Sequence, residues 1–149
     1  MDSYTVLIID DHDSVRNMLG GILLKLIPDI QISEASTLAQ ARQKLTDQSF
    51  QLAIVDINLP DGDEISLLPE IRIKHPAIYI VMCTIYNDDR HLFDALKAGA
   101  GGYLLKGQTE EQLTTKFRGM LKGEPPLSSS VARRMLQHFH LPPKIRLNH

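Results

Sequence analysis

The length of 149 residues suits one domain with a short additional segment, and a hydrophobic content of 43% is enough for one sizeable core. No apolar run approaches the roughly 20 residues of a membrane span, and the N-terminus lacks the basic and apolar regions of a secretory signal. The single cysteine excludes an intramolecular disulfide and favours the cytoplasm, while a net charge of −2 gives no overall attraction to nucleic acid.

Strands and helices alternate along the chain. Short apolar runs bounded by polar residues predict five strands, at 4–9, 30–35, 52–55, 78–83 and 103–105. Apolar residues at helical spacing follow each of these runs and predict five helices, near 13–27, 36–45, 64–74, 88–98 and 109–122.

Polar residues indicate where several of these helices begin. Thr109 has the spacing of a capping residue, with Gln112 in the first turn after it. Other candidate caps are Asp13 or Ser14, Ser36 or Thr37, and Asp88 or Asp89. Pro69 lies inside the predicted helix 64–74, and we expect it to kink or divide that helix.

Five consecutive strand–helix units predict an α/β fold, a doubly wound five-stranded parallel sheet with five flanking helices. Right-handed crossovers leave few topologies, and by analogy with flavodoxin-like proteins we expect the strand order 2-1-3-4-5. That order places the first and third strands side by side. Apolar residues at helical spacing near 128–139 predict a further helix in a C-terminal linker.

The third predicted strand ends on Asp56, a carboxylate that is costly to bury unless it has partners or a chemical role. Three of the other strands also end on polar residues. Asp10 and Asp11 follow the first strand, Thr84 the fourth and Lys106 the fifth. Because the carboxyl ends of parallel strands share one edge of the sheet, we expect these side chains to meet there.

Three carboxylates at one edge repel each other, and a hard divalent cation such as Mg²⁺ would relieve that repulsion. Lys106 adds a positive charge and Thr84 a hydroxyl, so the set suits a carboxylate that accepts a phosphoryl group. The alternative is that Lys106 is a counterion in a purely structural cluster of ion pairs. The agreement of five residues at four strand ends favours the phosphoryl-accepting site.

The motifs IIDDHD, VDINLPDG, CT and YLLK stand at these strand ends in chain order. With them, residues 4–123 closely resemble the receiver domains of two-component response regulators. DDHDSVR and ALKAGAGGYLLKGQTEEQL are similar to the subgroup with a LuxR/NarL-type helix-turn-helix output domain. GEPPLSSSVARRML resembles the linker that follows such receivers, and His12 is a marker of the subgroup.

The resemblance implies a metal site with a phosphoacceptor. Asp56 would be the phosphorylated residue, and Asp11 and Asp56 would bind Mg²⁺ together with the backbone carbonyl of Asn58. Asp10 would support the metal through a water molecule.

The resemblance also implies a switch. Lys106 would pair with the acceptor and then with the phosphoryl group, Thr84 would rotate toward that group, and Tyr103 would move with it. Many receivers have proline after this lysine, whereas this chain has Gly107, which leaves the placement of Lys106 open.

The implied partners follow from the same resemblance. They are a sensor histidine kinase or a phosphotransfer protein, and the family also allows a homodimer. We expect a receiver domain at 1–123 and a linker at 124–149, with no regular structure after its helix. Contact with DNA would need an output domain that this chain lacks.

Three alternatives belong to other functional classes. Asp11-His12-Asp13-Ser14-Val15 matches the D-x-D-x-[TV] pattern of haloacid dehalogenase-like phosphatases, which also need a late acidic pair for Mg²⁺ downstream of the lysine. The candidate pair here, Asp88-Asp89, precedes Lys106, and the tail after Glu124 has no acidic residue. A flavodoxin-like cofactor binder would need a phosphate-cradling loop where this chain has acidic residues. An interaction module that no longer accepts phosphate is disfavoured by the intact set of strand-end residues.

Overall fold

The computed structural model describes residues 4–56, 58–59, 61–63 and 66–138. Its strands are β1 (Thr5–Ile9), β2 (Gln31–Ala35), β3 (Leu52–Val55), β4 (Asn58–Leu59), β5 (Gly62–Asp63), β6 (Tyr79–Thr84) and β7 (Gly102–Leu105). Its helices are α1 (Asp13–Leu26), α2 (Leu38–Asp47), α3 (Leu67–Lys74), α4 (Asp89–Lys97), α5 (Glu110–Met120) and α6 (Ser129–His138).

Five of the strands form one parallel sheet in the order β2-β1-β3-β6-β7, which confirms the predicted doubly wound topology. The register aligns the strand ends, since Ile9 pairs with Val55 and with Ala35. The residues after β1 and β3 are therefore neighbours at one edge of the sheet. The short antiparallel pair of β4 and β5 follows β3 and was not predicted, although a turn was expected there.

Alternate residues of the strands are buried on opposite faces of the sheet. Leu7 and Ile9 belong to the core cluster on one face, and Val6 and Ile8 belong to the cluster on the other. Each cluster also contains residues of the helices on its own side. Burial on both faces explains why the strands appear in the sequence as continuous apolar runs rather than alternating patterns.

Three of the predicted helix caps are confirmed. The side chain of Thr37 accepts a hydrogen bond from the Gln40 amide, and that of Asp88 accepts one from the His91 amide. Thr109 forms a reciprocal capping box with Gln112.

The predicted cap of α1 is wrong. The helix begins at Asp13 itself, after His12, whose side chain makes no capping hydrogen bond. The Asp13 carboxylate instead forms an ion pair with Arg16, one turn along the helix. An acidic residue in the first turn still suits the positive end of the helix dipole.

The prediction for Pro69 is also wrong. Helix α3 begins at Leu67 and continues to Lys74 without interruption, so Pro69 lies in its first turn. Proline is tolerated there because the first amides of a helix have no acceptor within the helix. The predicted start at Glu64 lies outside the described residues.

The predicted linker helix is present as α6, and its Val131 side chain is fully buried in the core cluster that contains Tyr103. Phe139, predicted to end this helix, and the segment 141–149, predicted to lack regular structure, lie outside the described residues. Among the helices of the described part of the chain, none is long and apolar enough to cross a membrane.

Cys83 lies in β6 with 2% of its surface exposed, and burial raises the pKa of its thiol to about 12. We expect the native protein to resist a thiol reagent such as iodoacetamide at neutral pH, because both access and the reactive thiolate are suppressed. Mass spectrometry should show modification only when denaturant unfolds the chain. Rapid modification in buffer would contradict the burial of this strand.

Candidate functional site

Two buried carboxylates stand side by side where β1 and β3 end. Asp10 and Asp56 have only 2% and 4% of their surfaces exposed. Each is fixed by a backbone hydrogen bond to a neighbouring strand, from the Asp56 amide to Ile9 and from the Asp10 amide to Ala35. The parallel register therefore brings together two acidic groups that are far apart in the sequence.

Lys106 bridges these two carboxylates. Its Nζ lies 2.8 Å from Oδ2 of Asp10 and 3.1 Å from Oδ2 of Asp56, and 14% of its side chain is exposed. Burial, the largest single influence, acts to lower the pKa of Lys106, but the combined attraction of Asp10 and Asp56 outweighs it and the pKa is raised. Gly107, next in the chain, has a φ of 92°, a conformation suited to glycine, and Lys106 still reaches both carboxylates.

Asp11 and His12 line the open side of this cluster. Nδ1 of His12 lies 3.0 Å from a carboxylate oxygen of Asp10 and 3.0 Å from one of Asp11. The four side chains of Asp10, Asp11, His12 and Asp56 offer atoms that all lie within 4.8 Å of one another. The sequence analysis identified His12 only as a marker of the subgroup, and nothing in the sequence indicated its contacts with Asp10 and Asp11.

Thr84 ends β6, and Tyr103 lies near the start of the neighbouring strand β7. Both side chains are fully buried. The Thr84 hydroxyl accepts a hydrogen bond from the Tyr86 amide at 3.3 Å, and the Tyr103 hydroxyl donates one to the Tyr86 carbonyl at 2.7 Å. The loop after β6 therefore connects these two residues, and their joint role in a switch, implied by the family resemblance, stays a prediction.

Comparison with known proteins identifies this architecture. Residues 6–118 match the sequence model of a protein family, the response regulator receiver domain. The chain belongs to the receiver-domain family of response regulators. The receiver domain is a signalling domain of two-component systems, as predicted.

Curated relatives of this receiver domain include oxygen regulatory protein NreC of Staphylococcus haemolyticus, which is 30% identical over 91% of this chain and 64% of that protein. The DNA-binding transcriptional activator DevR/DosR of Mycobacterium tuberculosis is 29% identical over 88% of this chain and 60% of its own length. The chain thus spans about three fifths of the length of these relatives.

A solved structure supports the same assignment. The crystal structure of a two-component response regulator from Clostridium difficile has a TM-score of 0.72 and 30% identity, and covers 80% of this chain and 97% of its own. The matches to NreC and DevR/DosR are consistent with the predicted LuxR/NarL-type subgroup.

Arg16 supports the acidic loop of this receiver domain and was missed by the sequence analysis. Its Nη1 donates to the backbone carbonyl of Asp10 at 2.5 Å, its Nε donates to Glu34 in β2 at 2.7 Å, and it pairs with Asp13. Only 12% of the side chain is exposed. The one available signal was the position of Arg16 in the first turn after the acidic residues.

Asp61 anchors the segment that follows Asp56. Its carboxylate accepts hydrogen bonds from the amides of Leu38 and Ala39 at the start of α2. These bonds hold the pKa of Asp61 below its usual value. The carbonyl of Asn58, expected to bind the metal, belongs to β4 in the same segment, and its role as a ligand stays a prediction.

The dehalogenase alternative does not suit this arrangement. In that reading Asp13 would be a general acid facing the substrate. Its side chain is instead 86% exposed and paired with Arg16, outside the carboxylate cluster. The oxygen atoms of Asp10, Asp11 and Asp56 suit a hard divalent cation, so the donor set of this edge fits Mg²⁺.

Proposed function

We propose that this receiver domain accepts a phosphoryl group on Asp56 from a sensor histidine kinase or a phosphotransfer protein, with Mg²⁺ bound beside it. The observation that carries the proposal is the bridge of Lys106 between two almost fully buried carboxylates. Burying such a cluster of charges lowers the stability of the fold, so a purely structural role would not explain it. The cluster opens to solvent at Asp11, which suits a site that binds a charged ligand.

The proposed chemistry is an in-line displacement at phosphorus. A carboxylate oxygen of Asp56 forms a bond to phosphorus as the bond from phosphorus to the donor histidine nitrogen breaks. Lys106 would offset the charge on the phosphoryl oxygens together with a divalent cation held by Asp11, Asp56 and the Asn58 carbonyl, and Asp10 would support that cation through water. The domain thus promotes its own phosphorylation and dephosphorylation.

The signal would pass beyond this domain. We assign residues 1–123 to the receiver domain and 124–149 to a linker. DevR/DosR is described as a DNA-binding transcriptional activator, and we extend that role to this protein as transcription regulation through an output domain. The same proposal places the protein in the cytoplasm with its kinase and allows a homodimer.

The direct test is incubation of the chain with acetyl phosphate and Mg²⁺, followed by intact-mass measurement. One phosphoryl adduct should form with Mg²⁺ and should be absent when EDTA removes the cation. An unmodified chain under both conditions would leave the domain as an interaction module that does not accept phosphate.

Asp11→Asn should weaken Mg²⁺ binding by about tenfold or more, because the cation loses a charged ligand on the open side of the site. Titration of amide resonances with Mg²⁺ measures this affinity. Asp13→Asn is the matched control, since it removes one negative charge only two residues from Asp11. The Asp13 side chain pairs with Arg16 and lies outside the proposed metal site. Equal weakening by both variants would mean that only the overall charge of the loop matters.

A further inference from the structure

The first turn of α6 and the residues before it lie along the open edge of β7. We call residues 126–135 the docked segment. The Tyr103 amide donates to the Pro126 carbonyl at 2.9 Å, and the Ser128 amide donates to the Tyr103 carbonyl at 3.2 Å. Gly102 permits this approach, because an added Cβ would lie 2.6 Å from Cγ of Pro126 and 2.9 Å from its carbonyl oxygen. The docked segment therefore continues the sheet beyond its edge strand.

Side chains reinforce the docking. Ser128 is 1% exposed, and its hydroxyl accepts a hydrogen bond from the Leu105 amide at 3.0 Å. Val131 is fully buried, and Met135 packs against the same core cluster. Arg134 pairs with Asp89 of α4 at 2.8 Å. A segment expected to serve as a linker thus contributes a core residue and forms hydrogen bonds with three backbone groups of β7, the amide and carbonyl of Tyr103 and the amide of Leu105.

Tyr103 joins the docked segment to the candidate site. Its backbone amide and carbonyl both form hydrogen bonds with the docked segment, and its ring is fully buried in the cluster that includes Val131. Its hydroxyl holds the Tyr86 carbonyl, and the Tyr86 amide holds the Thr84 hydroxyl. Because β7 is an edge strand, loss of the docked segment would open this cluster and release the Tyr103 ring.

We infer that the β7 edge is an intramolecular docking surface for residues 126–135, and that docking strengthens phosphoryl binding at Asp56 by holding Tyr103 buried and the loop after β6 ordered. The inference rests on the proposed function. When docking has already ordered the loop, phosphoryl binding no longer costs the conformational entropy of ordering it. Docking and phosphorylation therefore favour each other. Coupling of this kind is reciprocal: phosphorylation tightens docking by the factor by which docking tightens phosphoryl binding.

The test uses the full chain and beryllofluoride with Mg²⁺ as a stand-in for the phosphoryl group. The double variant Ser128→Ala/Val131→Ala removes the buried hydroxyl and part of the buried side chain of the docked segment. Arg133→Ala is the matched control, since Arg133 is exposed on the same helix. Shifts of the amide resonances measure the affinity for beryllofluoride. The same spectra measure hydrogen exchange of the Leu105 and Ser128 amides, which donate hydrogen bonds between β7 and the docked segment.

The double variant should bind beryllofluoride about fivefold or more weakly than wild type, while Arg133→Ala should match wild type. In the wild-type chain, beryllofluoride should slow exchange of the Leu105 and Ser128 amides. This second measurement needs no variant, so it decides the matter even if the double variant fails to fold.

Unchanged exchange of these amides in the wild type on saturation would overturn the inference, as would a folded double variant with wild-type or tighter affinity. A wild-type chain that does not bind beryllofluoride at all would instead refute the proposed phosphoacceptor function.

Discussion

Asp56→Asn is expected to abolish phosphorylation by acetyl phosphate, where the wild-type chain gains one phosphoryl group. The amide oxygen of asparagine is not an effective nucleophile, and the Asp10 carboxylate is fully engaged by its neighbours. Asp10 accepts hydrogen bonds from the His12 amide and from Lys106, and it is 2% exposed. The loss should therefore be complete rather than partial. Intact-mass spectra, with and without mild base to hydrolyse the acyl phosphate, measure it.

The matched control for this experiment is Asp29→Asn. Asp29 is an exposed carboxylate in the turn between α1 and β2, and its replacement makes the same change in mass and charge. Circular dichroism should show that Asp56→Asn keeps its fold, because Lys106 retains its 2.8 Å pairing with Asp10. Equal labelling of Asp56→Asn and wild type would exclude Asp56 as the acceptor.

The sheet and its functional edge could be predicted because both follow from short-range patterns. Apolar runs of four to six residues fix β1, β3 and β6, and each ends where a polar residue begins. Parallel pairing then brings the strand ends together regardless of their separation in sequence. The proximity of Asp10, Asp56 and Lys106 is therefore a consequence of topology, and the structure confirms that they meet.

The contacts that support this edge could not be predicted, because they depend on side chains from distant segments. Arg16 binds the Asp10 carbonyl only because Glu34 of β2 holds its other side. The capping residue of α1 was predicted wrongly for a related reason, since Asp13 pairs with Arg16 instead of capping the helix. Pro69 was misjudged because a proline in the first turn of a helix has the same local sequence signal as one in the interior.

The contacts of the docked segment, at the C-terminal end of the described residues, could not be predicted from the sequence either. The spacing of Val131 and Met135 predicted an amphipathic helix, but it carried no information about the surface that the helix would cover. Gly102 was the only local hint, since a glycine within a strand often marks the close approach of another backbone. The approach of Pro126 to Gly102 is the physical reason for that glycine.

Lys106→Met is expected to lower the free energy of unfolding by about 2–4 kcal/mol in the absence of divalent cations. The variant leaves Asp10 and Asp56 buried without their shared cation, and the 14% exposure of the lysine side chain keeps the effect below the largest values for fully buried pairs. Added Mg²⁺ should recover part of the loss, because the cation offsets the same repulsion. Urea unfolding with and without Mg²⁺ measures both effects, with Lys97→Met as the exposed control.

The pH dependence of this difference has a defined sign. The pKa of Lys106 is raised in the folded protein, so its contribution is fully present below about pH 10.4, the ordinary lysine pKa. It is lost as the pH rises through the higher folded-state pKa. The stability difference between wild type and Lys106→Met should therefore be constant near neutral pH and shrink only in strong alkali. A difference that disappears between pH 6 and 8 would show that Lys106 does not stabilise the carboxylate pair as an ammonium ion.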